Sequence, residues 1–340
     1  MKSQDDLISF ARESLTLPQS VEVQLIPLSG RGSDRSYFRF RWDTTNSAIL
    51  VSYESGRIEN AYFADIAGFL SENGIPVPRI FRHDAVACCI LMEDLEDTDL
   101  WTLRNSAWER RQKLYQKTLD AVHTLHSFPT GLFPADRVKL MEPFSPAYYR
   151  WERDYFRTNF VKVLCGLELN PDFGQRLENE LSGLAERLVS GKRCLVHRDL
   201  QSQNVMICRE EPFLIDFQGM RFGSCFYDLG SLLCDPYVSF SESERMELLS
   251  YYYELSNPES SWSSFRDSFW EASAQRLMQA LGAYGMLGIG KGLKHYLVHV
   301  PAGLRNLQMA ADNSGSLPVL LELCEMCGNR IRESKFEIRD

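Results

Sequence analysis

Residues 195–207 read LVHRDLQSQNVMI, and FLIDFQG follows at 213–219. In the first stretch apolar residues flank a polar loop on both sides, which predicts two short strands gripping a rigid loop with Asp199 and Asn204 at its ends. Moving a γ-phosphoryl group onto a hydroxyl needs a carboxylate to orient that hydroxyl and take its proton, and Asp199 is placed to do so. Oxygen ligands for Mg2+ are needed too. Asn204 offers a neutral carbonyl, and Asp216, seventeen residues past Asp199 behind an apolar run, offers an anion. A single loop aspartate ordinarily caps a turn. The two-part spacing, H-R-D-x-x-x-x-N followed by apolar-apolar-Asp, is what points to phosphotransferase chemistry.

Working outward, the first hundred residues hold β-like runs at 21–28, 37–42, 47–53 and 88–95, which predict a small antiparallel sheet. One helix crosses it: Phe63, Ile66, Phe69 and Leu70 share a helical face that stops at Gly74. Beyond residue 96 the periodicity is helical, with amphipathic stretches near 108–126 and 173–188, breaks at Asn257-Pro258 and Pro301, and a loop at 312–318. The expected architecture is α+β and bilobal. A strand-rich lobe, residues 1–95, and a helical lobe, residues 96–340, meet at a connector around Met92 to Asp97.

The chain has 340 residues, 44% hydrophobic and 24% charged, enough for two lobes with a sizeable core. A net charge of −9 disfavours nucleic acid as a partner, because phosphate backbones are held by surplus Lys and Arg. Neither a leader-like apolar segment nor a membrane span is read in the sequence, so a cytoplasmic protein with a small-molecule substrate is expected. The nine scattered cysteines read as reduced thiols, and the lone Cys324-x-x-Cys327 pair reads as the end of an amphipathic helix. His295 and His299 lack the glutamate of a zinc-protease motif and read as helix packing.

His197, Arg198, Asp199 and Asn204, with Ile215-Asp216-Phe217, resemble a kinase catalytic loop and metal-binding loop. The following GMRFGSCFYDLGSLL resembles the aminoglycoside/choline kinase-like phosphotransferases, in which a second aspartate, here Asp228, opens a helix about a dozen residues after the metal aspartate. GIPVPRI, AVHTLHS and ILMEDLED extend the likeness over about residues 20–310. It implies a protein-kinase-like fold, ATP and Mg2+ as cofactors, Asp199 as catalytic base and Asn204 and Asp216 as metal ligands. His197, Arg198 and Asp228 are then structural, with Arg198 pairing with a lower-lobe carboxylate such as Asp228. Adenine would meet the backbone of Glu93 and Leu95 beside Met92.

Only eleven residues separate Asp216 from Asp228 and no Ala-Pro-Glu follows, so a peptide platform is missing and a small hydroxyl compound is the expected acceptor. Gly30, Gly32 and Ser33 read either as the turn that lays N–H groups over the phosphates or as an ordinary hairpin turn. The strand AILVSY lacks the usual phosphate lysine, for which Arg39 is the candidate substitute. Gln201 stands where many kinases carry lysine or histidine and can still donate to a phosphate oxygen.

Acceptor binding is expected from residues 141–160. Glu152, Arg153 and Tyr155 are candidates for sugar hydroxyls, while Tyr148, Tyr149, Trp151, Tyr155 and Phe156 read as a cation–π cage or as a plain helix stripe. The whole pattern is most similar to bacterial N-acetylmuramate/N-acetylglucosamine kinases of cell-wall recycling, which implies phosphorylation of an amino sugar. A kinase for choline, homoserine or an aminoglycoside is the alternative, and an inactive nucleotide-binding regulator is another.

Overall fold

The computed structural model describes residues 2–28 and 35–333. Gly30, Gly32 and Ser33 lie outside the described residues. The order of elements is α1 (Gln4–Leu15), β1 (Gln24–Leu28), β2 (Ser36–Arg41), β3 (Ser47–Ser52), α2 (Glu59–Glu72), β4 (Ile80–Asp84) and β5 (Cys89–Glu93). Then follow α3 (Trp108–His126), α4 (Pro146–Phe156), α5 (Pro171–Ser190), β6 (Cys194–Val196), β7 (Val205–Cys208), β8 (Glu211–Leu214), β9 (Arg221–Gly223), α6 (Cys225–Leu233), α7 (Glu242–Ser256), α8 (Trp262–Gly285), α9 (Val300–Ser314) and α10 (Pro318–Glu333).

β1 to β5 form one antiparallel sheet in the order β1-β2-β3-β5-β4. The β2–β3 turn follows from Asp43, whose carboxylate accepts the N–H groups of Thr45 (2.7 Å) and Asn46 (2.6 Å). β3 and β5 are buried on both faces, which is why SAILVSY and CCILME read as unbroken apolar runs. Ala48, Leu50, Cys89 and Leu91 pack on one side with Phe40 and with Leu7, Phe10 and Ala11 of α1. On the other side Ile49, Val51, Ile90 and Met92 face the helical lobe.

Two elements go beyond the sequence reading. The helix α1 carries its apolar residues at i, i+3 and i+4, and a capping box between Ser3 and Asp6 starts it. The edge strand β4 is half-buried at every position, without alternation, and follows Pro76 and Pro78, so nothing in its pattern announces a strand. Past the connector the chain docks on the lower lobe, where the Leu100 N–H donates to Val205 (3.0 Å) and the Ile207 N–H to Thr98 (2.8 Å).

Two local differences appear in the helical lobe. α9 runs to Ser314 and stops at Gly315, whose φ of +65° lies in the left-handed region, so only the second half of the 312–318 stretch is loop. His295 and His299 lie on a short 3-10 helix rather than an α-helix, with His299 packed edge-on against Tyr237. Cys324 and Cys327 are buried free thiols of α10.

α8 is the axle of this lobe and packs on α4, α6 and α9. Its approach to the end of α4 and to the helical turn that follows it depends on two glycines. A Cβ on Gly282 would come within 2.8 Å of the Tyr155 ring, and one on Gly285 would overlap the Asn159 carbonyl. Gly285→Ala is expected to destabilise the chain by about 3 kcal/mol, since backbone cannot yield as a flexible side chain does. Denaturant titration checks this, and an unchanged midpoint contradicts the close packing.

Candidate active site

A cavity of about 550 Å3 lies between the sheet and the helical lobe, within the range of small-ligand sites. Asp199, Asn204 and Asp216 all line it, as do Gln201 and the connector residues Met92, Glu93 and Leu95.

The loop that carries Asp199 is tied down from beneath. Arg198 has φ +78° and Asp216 φ +63°, left-handed conformations that cost about 1–2 kcal/mol each for residues with a side chain. Asp228, fully buried in the first turn of α6, accepts the backbone N–H of His197 (2.6 Å) and of Arg198 (2.8 Å). His126 donates from Nε2 to the same carboxylate (3.1 Å), a tautomer set by Tyr252 on Nδ1. His197 joins the two loops: Nε2 donates to the Ile215 carbonyl (2.9 Å) and Nδ1 accepts the Asp199 N–H (3.3 Å). Deeper still, Asp235 accepts the N–H of Ser202 (2.8 Å) and of Tyr237 (2.9 Å), and burial pushes its carboxyl up to about 6.

Oδ1 of Asp199 accepts a 2.7 Å bond from Nη2 of Arg276, a buried α8 residue whose Nε donates to Ser231 (3.0 Å). Asn204 donates Nδ2 to the Asp199 carbonyl (2.9 Å), which leaves its amide oxygen as the donor atom available to a cation. Burial pushes the Asp216 carboxyl up, but Arg35, with Nη2 at 2.7 Å, and Gln218, with Nε2 at 3.0 Å, outweigh it and hold it below the usual carboxylate range. Phe63 of α2 stacks on Phe217 at 4.6 Å and so couples α2 to the Asp216 loop.

Several sequence expectations are corrected. Arg39 does line the cavity, but its guanidinium is held by Asp94 (2.6 Å) and Asp97 (2.8 Å) of the connector, because β2 brings it level with Ile49 and Met92 rather than with Asp216. The Arg198 guanidinium is not paired with Asp228, which takes backbone N–H groups instead. It lies 3.9 Å from Asp199. Glu152 and Arg153 are core residues. Glu152 accepts from Tyr227 (2.8 Å) and Gln275 (3.0 Å), and burial pushes its carboxyl above the ordinary range. Arg153 is spent on the Leu181 carbonyl and Glu178. Tyr155 stacks on Trp151 outside the cavity, so residues 148–156 form a helix stripe and not a cage.

The wall opposite the sheet comes instead from α8 and the segment after it, through Arg276, Gln279, Ala280, Ala283, Tyr284, Leu287 and Tyr296, with Tyr237 beside them. None of these was found from sequence. In α8, where polar and apolar residues mix without an amphipathic face, Arg276 reads like a surface arginine, and its approach to Asp199 is purely tertiary.

Among the described residues no three His, Cys, Asp or Glu side chains cluster to hold a metal. One carboxylate and one amide oxygen lining a cavity large enough for a nucleotide suit Mg2+, which is bound by few protein ligands together with the phosphates. No described helix is long and apolar enough to cross a membrane.

This fold and these paired loops define an enzyme of phosphoryl transfer. The sequence profile of the phosphotransferase enzyme family matches residues 24–266, and the chain belongs to that family. It is 28% identical over 314 residues to the N-acetylmuramate/N-acetylglucosamine kinase of Pseudomonas aeruginosa, covering 88% of each chain. It is 24% identical to the enzyme of that name from Neisseria meningitidis, covering 89% of this chain and 90% of that one. Among solved structures, a choline/ethanolamine kinase family protein from Mesorhizobium loti superposes with a TM-score of 0.62 at 15% identity, over 93% of this chain and 99% of that one, a likeness of fold.

Proposed function

We propose that the chain transfers the γ-phosphoryl group of ATP to a hydroxyl of an N-acetylated amino sugar such as N-acetylmuramate or N-acetylglucosamine. The observation that carries the proposal is the convergence of Asp199, Asn204 and Asp216 on one cavity between the lobes. The names of the relatives supply the acceptor class. The division falls at the connector, with residues 1–95 holding the nucleotide and 96–340 the acceptor. Met92, Glu93 and Leu95 face the adenine. Asn204 and Asp216 would hold Mg2+, which when bound neutralises phosphate charge.

Asp199 accepts the acceptor's proton as its oxygen bonds to the γ-phosphorus and ADP leaves with the bridging oxygen. Arg276 fixes one carboxylate oxygen and leaves Oδ2 for the hydroxyl. Gln201 donates to phosphate oxygens. The acceptor wall suits a sugar without positive charge, because tyrosine rings stack on a pyranose and the Gln279 amide bonds its polar groups. It presents Arg276 and no carboxylate of its own, which disfavours polycationic aminoglycosides.

The test is ADP release against a panel of N-acetylated sugars, choline and aminoglycosides. Turnover confined to the sugars supports the reading. Transfer to choline or an aminoglycoside alone overturns the acceptor class, and nucleotide binding without any transfer points to a regulator. Arg276→Gln is expected to lower kcat about 100-fold through misplacement of Asp199. The KM for ATP should hardly move and Arg276→Lys should recover part of the rate; an unchanged kcat contradicts this role.

A further inference from the structure

No lysine among the described residues lines the sheet side of the cavity. Ile49 and Val51 of β3 and Ile90 and Met92 of β5 face it, and Arg39 is held at the connector by two carboxylates. Among the described residues the remaining cation on the sheet side of the cavity is Arg35, just ahead of β2. Alternate residues of a strand share a face, and in β2 Tyr37 and Arg39 point into the cavity. Arg35, one step before Tyr37 on the same face, lines it as well. About 14 Å of extended chain separates Arg35 from Arg39 at about 3.4 Å per residue. The two arginines thus bracket the cavity, one at the connector and one at Asp216.

The Arg35 side chain is only 12% exposed and its Nη2 lies 2.7 Å from Oδ1 of Asp216, an oxygen that also accepts from Gln218. A divalent cation on that carboxylate competes with the guanidinium for the same negative charge. A phosphate group carried in with the cation supplies the missing anion, and the planar guanidinium fork matches its oxygens.

We propose that Arg35 is the residue by which this chain grips the phosphates of its nucleotide, in place of a lysine on β3, and that it exchanges part of its bond to Asp216 for a phosphate oxygen. The proposal rests on the nucleotide reading above and adds the residue that performs the binding.

The experiment is calorimetric titration of the full chain with a non-hydrolysable ATP analogue and Mg2+, and separately with adenosine. Arg35→Ala is expected to weaken the analogue about 10- to 100-fold, as loss of a charge-assisted hydrogen bond does, while adenosine binding stays within about twofold. Arg35→Lys keeps the charge without the fork and should recover part of the loss. It also serves as the folded variant if the alanine form does not fold.

Unaltered analogue affinity in both variants overturns the proposal and leaves the nucleotide reading standing. An equal loss for analogue and adenosine assigns Arg35 to the fold and also overturns it. Failure of the unmodified chain to bind the analogue overturns the nucleotide reading, and the proposal with it.

Discussion

Asp199→Asn is expected to lower kcat by about 10^3- to 10^4-fold, the upper range for removal of a general base, while nucleotide affinity stays within about threefold. The asymmetry follows from geometry. Asparagine keeps the shape and an oxygen for the Arg276 bond, so the loop, the Asn204 contact and the Asp228 clamp on its backbone all persist. Only the capacity to take a proton from the acceptor is lost. Single-turnover kinetics beside nucleotide titration separates the two effects. A variant that turns over at near the parent rate removes Asp199 from the chemistry.

Asp216→Ala should behave differently, with Mg-dependent nucleotide affinity and turnover falling together. A loss in kcat/KM of about 10^3-fold, equal to ~4 kcal/mol, is expected. The cause is the loss of a carboxylate that lines the cavity together with Asn204, and of the counter-charge of Arg35. Asp216→Asn preserves the volume and the Gln218 neighbourhood and should lie between the parent and alanine forms. Nucleotide affinity with an unchanged dependence on Mg2+ in the alanine variant refutes the assignment.

What could be read from the chain beforehand was local. The loop spacing that joins Asp199, Asn204 and Asp216 spans a few residues on either side of short strands, and such constraints survive in one dimension. The two-lobed α+β architecture was legible for the same reason, since β3 and β5 are short unbroken apolar runs and α2 and α3 carry a helical period. Residues that meet only after folding were not legible. Arg276 is 77 positions from Asp199 and Arg35 is 181 from Asp216. Glu152 and Arg153 show the converse. Charged residues beside aromatics suggested a binding surface, yet both are satisfied inside the core by Tyr227, Gln275 and Glu178.

The aromatic wall has an implication for how such an enzyme changes its diet. The shared family profile ends at residue 266, whereas Arg276, Gln279, Tyr284, Leu287 and Tyr296 all come later. On the proposed reading, most of the acceptor wall is thus written after the catalytic loops, with Tyr237 the exception and Arg276 the link between them, so specificity can be altered there with little change upstream. Transplanting residues 267–300 from a relative with another acceptor, with Arg276 retained to hold Asp199 and Gly282 and Gly285 retained so that the graft still seats, is a direct route to a changed specificity.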